Sequence, residues 1–190
     1  MATGLSKDDA KVKIEALLSE FYGGEGGFGA LGDFTSRTSL EQPYDALLNH
    51  HAHMTVTVES HHGEKVDVSV HRHQRRKDSS GDWYSREIIL RTQGSDTVVQ
   101  YGIVRLNVSA LAPEVWQRIE SRQVPLGRVL IEHNVLREVQ LCELWHVRSG
   151  PALAKLLEID PGDETFGRTA LIYCDGEPAI ELLEIVAPVG

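Results

Sequence analysis

The last apolar stretch of the chain, 178–188, is greasy on both parities, with Ile180, Leu182 and Val186 on one side and Ala179, Leu183 and Ile185 on the other. A strand of that kind is normally interior to a sheet and covered on both faces. Two carboxylates, Glu181 and Glu184, interrupt the run. Three residues apart, they point to opposite faces, so at least one must give up much of its water. A desolvated carboxylate needs an ion-pair partner, hydrogen bonds or a proton. Two readings are open: a functional acid with a shifted pKa, or a structural ion pair with a nearby arginine.

The same periodicity predicts most of the remaining elements. A strand over 166–174 turns at Asp175-Gly176 into the final strand, which makes a hairpin. Met54, Val56 and Val58 alternate with polar residues, and so do Val66, Val68 and Val70; the turn at 60–64 between them predicts a second hairpin. Turns at 78–82 and 94–96 bound strands over 84–92 and 98–108, and 135–148 reads as another. Helical spacing predicts a helix over 6–22, with Ser6 as N-cap, Asp8 and Asp9 in the first turn, and Val12, Ile14, Leu17, Leu18 and Phe21 as its stripe. Shorter helices are predicted at 43–49, 113–122, within 125–134 and at 151–157. The Gly-rich loop that runs to Gly32 lacks the Lys-Ser/Thr pair of a phosphate loop. Consecutive strands on short turns, with helices at the ends and in one interruption, predict an α+β fold with a single antiparallel sheet and flanking helices. One domain is expected over 1–190, with the helix and Gly-rich loop in 1–40 and the core in 41–190.

Composition narrows the function classes. The 190 residues are 41% hydrophobic and 25% charged, ordinary for a globular protein with a proper core. A formal charge of −9 lacks the basic footprint of a nucleic-acid surface. Cys142 and Cys174, the only two cysteines, lie in or beside apolar strands and read as reduced core residues. The first residues do not have the pattern of a signal peptide, and no apolar run approaches a bilayer-spanning length. No nucleic-acid or membrane partner is expected, and the expected location is cytoplasmic.

Four segments in order carry a resemblance: Leu47-Leu48…Met54-Thr55, Arg86-Glu87-Ile88-Ile89-Leu90, Pro125-Leu126-Gly127-Arg128-Val129-Leu130, and Gly167-Arg168…Gly176-Glu177-Pro178…Leu183-Glu184. Together they resemble the bacterial chorismate lyases (chorismate–pyruvate lyases) over roughly 40–188. The resemblance implies a carbon–oxygen lyase that eliminates pyruvate from chorismate, or a related enolpyruvyl compound, to leave 4-hydroxybenzoate. No cofactor and no metal would be involved, and the partner would be a small aromatic carboxylate. It puts the catalytic glutamate on Glu184, a substrate-contacting arginine on Arg86, a backbone contact on Leu126 and a further contact at Met54. Such roles suit the chemistry, because a guanidinium fork binds a carboxylate bidentately and a desolvated glutamate exchanges protons near neutral pH. The family's second arginine falls on Ile103; Arg105, two residues on and on the same strand face, is the candidate replacement. Arg168 completes the candidate substrate-binding cations. A related fold occurs in effector-binding domains of some transcription regulators, which makes a non-catalytic aromatic-acid-binding module the alternative. Only about 40 residues precede the first expected strand, which counts against the expectation of a complete regulator.

Seven histidines, His50, His51, His53, His61, His62, His71 and His73, crowd into 24 residues. In the predicted hairpin His53 would face His71 and His51 would face His73, about 5 Å apart at Cβ, close enough to share a metal. This supports a third reading, a metal-dependent enzyme, against the plainer one of a solvated polar face.

Overall fold

A computed structural model describes residues 12–24, 26–135 and 137–189. Its strands are β1 (Gly32–Arg37), β2 (Val66–Asp78), β3 (Gly81–Thr92), β4 (Val98–Asn107), β5 (Arg137–Ser149), β6 (Glu164–Cys174) and β7 (Glu177–Val186). They form one sheet in the order β1-β5-β6-β7-β4-β3-β2, and every neighbouring pair is antiparallel. The two-sided apolar strand β7 therefore lies in the middle, as its pattern requires. The helices are α1 (Ile14–Tyr22), α2 (Tyr44–Leu48), α3 (Met54–His62), α4 (Pro113–Glu120), α5 (Leu126–Glu132) and α6 (Pro151–Leu157). The α+β expectation holds.

Register decides which side chains meet. Arg86, Val104, Leu182 and Ala170 stand in one cross-strand row, and Ile88, Gly102, Glu184 and Arg168 in the next row on the same face. Glu87, Ile103, Leu183 and Thr169 occupy the opposite face. On the face of Arg86 there are two apolar clusters. One gathers Val115, Trp116 and Ile119 of α4 with Val129 and Leu130 of α5. The other gathers Leu47 and Leu48 of α2 with Met54 and Val58 of α3. The opposite face is covered by α1 and α6, through Leu17, Leu18, Leu153 and Leu157.

Three local expectations need correction. Residues 54–58 form helix α3 instead of a strand, and β2 pairs with β3. Met54, Thr55 and Val58 are the buried residues, a helical spacing, while Val56 is 48% exposed. Packing on the sheet overrides the β preference of Thr and Val. Gly63, at φ 68°, closes the helix in the left-handed conformation that glycine adopts freely. The helix predicted over 6–22 starts at Ile14, with Lys13 extended; Ser6, Asp8 and Asp9 lie outside the described residues. An edge strand, β1, occupies what reads in sequence as the end of a Gly-rich loop.

The α1 face is tied down by a buried acid. Glu87, fully buried, accepts from Tyr101 Oη at 2.7 Å, from Arg72 Nε at 2.7 Å and from the Tyr22 hydroxyl. Arg72 also donates to the Phe21 carbonyl at 3.2 Å and lies over the Tyr22 ring at 4.7 Å. Burial pushes the Glu87 carboxyl up, but the hydrogen bonds from Arg72, Tyr22 and Tyr101 outweigh it and hold the pKa below the usual range. Tyr22 is pushed up to about 12 by its burial and by Glu87. Because the folded carboxyl binds its proton less readily than the unfolded one, its contribution is complete above about pH 4.3 and is lost as pH falls through the lower folded value. Glu87→Gln is expected to cost about 1–3 kcal/mol at pH 7 and to flatten the acid limb. Urea midpoints at pH 7 and below pH 4 check both; an unchanged acid limb would contradict the assignment.

Candidate ligand-binding site

The seam between the two apolar clusters on the Arg86 face holds a cavity of about 40 Å³. Its floor is the middle of the sheet: Arg86, Ile88 and Leu90 of β3, Gln100, Gly102 and Val104 of β4, and Leu182 and Glu184 of β7. The walls are the start of α3, with His53, Met54 and Thr55, and the start of α5, with Leu126 and Gly127. Gly102 keeps the floor open, since a Cβ there would meet the Leu183 carbonyl at 3.2 Å and Ile88 Cδ1 at 3.4 Å. Four residues singled out in the sequence, Arg86, Glu184, Met54 and Leu126, therefore share one cavity although they come from distant segments.

Arg86 is only 1% exposed. Its contacts among the described residues are weak: Nη1 donates to the Ile119 carbonyl at a long 3.5 Å, and the Tyr84 hydroxyl interacts with the guanidinium. Among the described residues Nε has no partner, and neither a salt bridge nor a carboxylate contact neutralises the group. Burial pulls the guanidinium below its usual range, against a smaller opposing effect of Tyr84. A buried cation without a counter-ion costs several kcal/mol. A cavity wall is where such a charge can be offset by something that is not part of the chain.

Arg168 is the opposite case. It is fully buried and every arm is used: Nε donates to Glu184 Oε2 at 2.7 Å, Nη1 to the His50 carbonyl at 2.8 Å and the Leu48 carbonyl at 3.3 Å, and Nη2 to the Ala52 carbonyl at 3.0 Å. It pins the α2–α3 connection to the sheet. His50 lies in this connection, held below the usual imidazole range by burial first and by the Arg168 charge second. A neutral ring suits its contacts, Nε2 to the Leu47 carbonyl at 2.8 Å and Nδ1 accepting from the Ala52 amide at 3.0 Å. Glu184 thus takes the ion-pair reading left open by the sequence, and all three guanidinium nitrogens of Arg168 are engaged within the chain.

Two other sequence expectations are corrected by position. Arg105 lies in register with Glu181 and Ser85, on the face away from the cavity. There it pairs with Glu181 and, at 3.4 Å, with Glu20. It shares a face with Ile103, but that is the wrong face for Arg86 and Glu184. The histidine pairs also separate, because His53 precedes a helix. His51 Nδ1 contacts the Val139 carbonyl at 3.0 Å, while His73 on β2 lies against Tyr84, with ring centroids 6.1 Å apart, and Arg122. His71 is on β2, at the irregularity between Val70 and Arg72 where that strand pairs with β3. Among the described residues no group of three or more His, Cys, Asp or Glu side chains is placed to hold a metal.

Gln100 was missed, although its signal is the same as that of Glu184: a single polar side chain inside the apolar run Val98-Val99-Gln100-Tyr101. It is 3% exposed, and its Oε1 has no hydrogen-bond partner among the described residues. Among those residues no helix is long and apolar enough to cross a membrane.

This single antiparallel sheet, with helices on both faces and a small cavity beneath those on one, is a fold shared with solved structures. The chain is similar to PhnF from Mycobacterium smegmatis, at 12% identity and a TM-score of 0.54 over 72% of this chain and 64% of that one. It is also similar to the effector domain of PhnF alone, at 12% identity and a TM-score of 0.55 over 72% of this chain and 88% of that one. The C-terminal domain of a histidine utilization repressor from Pseudomonas syringae pv. tomato matches at 14% identity and a TM-score of 0.48, over 65% and 92% of the two chains. The chain thus spans somewhat less than two thirds of full-length PhnF. No family model and no curated protein sequence matches it. The carbon–oxygen lyase expected from the sequence is corrected by these findings: the fold is shared with the effector domain of PhnF, and the expected catalytic glutamate is bound up in an ion pair with Arg168.

Proposed function

We propose that the chain is a non-catalytic module that binds a small organic carboxylate, with Arg86 taking the charged end. The observation that carries this reading is a buried guanidinium, on the wall of a cavity, with no acidic partner among the described residues. Ile88, Leu90, Val104, Leu126 and Leu182 offer an apolar lining for the ligand body, and Met54 supplies a soft, adaptable wall. An aromatic or a branched aliphatic body satisfies such a lining. The likeness to an effector domain supports a signalling output over a chemical one.

At about 40 Å³ the cavity has room for about three waters. A ring-sized ligand therefore requires the first turns of α3 and α5 to move apart. That movement couples occupancy to the outer layer of the domain, which is what a sensing role needs.

The test is calorimetric titration and thermal unfolding with benzoate and short alkanoates, each beside its neutral amide. Carboxylates are expected to bind and to raise the melting temperature, the amides to do neither, and Arg86→Met to abolish the difference. Equal response to acids and amides would overturn the reading.

A further inference from the structure

The cavity carries a second unused polar group, and it lies at the other end. Gln100 is four residues along β4 from Val104, the cross-strand partner of Arg86, which separates the two positions by about 13 Å along the strand. Between them the lining is the row of Ile88, Gly102 and Glu184, with Leu182 beside Val104 at the Arg86 end and Leu90 beside Gln100 in register. The geometry points to a subsite at Gln100 for an uncharged hydroxyl, so that the ligand is a monocarboxylate with a hydroxyl group at its far end. This deepens the carboxylate-binding reading above and rests on it.

Three observations carry the inference. A buried amide oxygen left without a donor is unfavourable and rare in native proteins, and here it lines the same cavity as an unpaired cation. An amide both accepts and donates, and so does a hydroxyl, which makes them mutually complementary. A second carboxylate is disfavoured there: Arg86 is the one arginine or lysine among the described lining residues and lies at the other end, and Glu184 stands between the two ends. An ammonium is disfavoured as well, because Leu90 and Val68 surround the position and Glu184 is already neutralised by Arg168.

The experiment measures affinity for ω-hydroxyalkanoates from about three to about eight carbons, all shorter than the about 13 Å between the two backbone positions from which the Arg86 and Gln100 side chains extend, together with 4-hydroxybenzoate. Each is compared with the acid lacking the hydroxyl. At the matching length the hydroxy acid is expected to bind roughly 10- to 100-fold more tightly, and Gln100→Leu is expected to reduce it to the affinity of the plain acid. Gln100→Leu should fold with an unchanged or higher melting temperature, because it removes an unsatisfied buried group; Gln100→Met repeats the comparison with a more flexible side chain. Acids that bind through Arg86 with no hydroxyl preference at any length would overturn the subsite and leave the carboxylate reading standing. Failure of every acid to bind would overturn both. A melting temperature lowered in both Gln100 variants would show an internal role for the amide and overturn the subsite.

Discussion

Arg168→Met is expected to lower the unfolding free energy by about 3–5 kcal/mol, the cost of leaving one member of a buried ion pair without the other. Glu184 would remain, 7% exposed, with its cation gone, and the carbonyls of Leu48, His50 and Ala52 would lose the donor that holds them. Such a loss is a large share of the 5–15 kcal/mol typical of a domain, so urea unfolding of soluble material is the suitable measurement. Arg168→Lys should fall between wild type and Arg168→Met, since one ammonium cannot serve four acceptors in the geometry of the guanidinium fork. A cost under about 1 kcal/mol for Arg168→Met would remove the staple from the account.

Arg86→Met is expected to act in the opposite direction on the unliganded protein. It removes a desolvated cation that has no counter-ion, and its apolar chain fills much of the same volume. Stability should stay level or rise by up to about 3 kcal/mol, by analogy with apolar replacement of buried ion pairs, while the response to carboxylates disappears. Gain in stability with loss of function is the signature of a site residue held at a structural cost. Two arginines on the same sheet face, both essentially inaccessible, would then have opposite effects on unfolding. Urea midpoints of the two Met variants, measured side by side, decide it. A loss at Arg86 as large as that at Arg168 would mark it as structural.

Much of the sheet was legible because burial on two faces leaves a mark in one strand. The run through Leu182, Leu183 and Ile185 predicted an interior strand, and the alternation with short turns predicted antiparallel order. The stretch from Met54 to Val58 shows the limit. Thr and Val alternate there as in a strand, but the residues that pack are Met54, Thr55 and Val58, and only the neighbouring sheet surface selects that spacing. The histidine pairing rested on the same alternation and was lost with it. Arg105 shows a second limit. Parity along one strand is local, whereas the face it shares with Arg86 depends on the register between strands, and register placed it opposite Glu181.

The candidate site divides in the same way. The sequence by itself determined that a carboxylate sits in an apolar strand, that Arg86 and Glu184 belong to strands of one sheet, and that the fold is α+β. These follow from composition and period along single segments. Only the tertiary structure decided that Glu184 is paired with Arg168 while Arg86 has no acidic partner among the described residues, and that Gln100 lines the same cavity. Those outcomes depend on which buried polar groups find one another across the sheet and its helices, an account that closes only when every segment is in place.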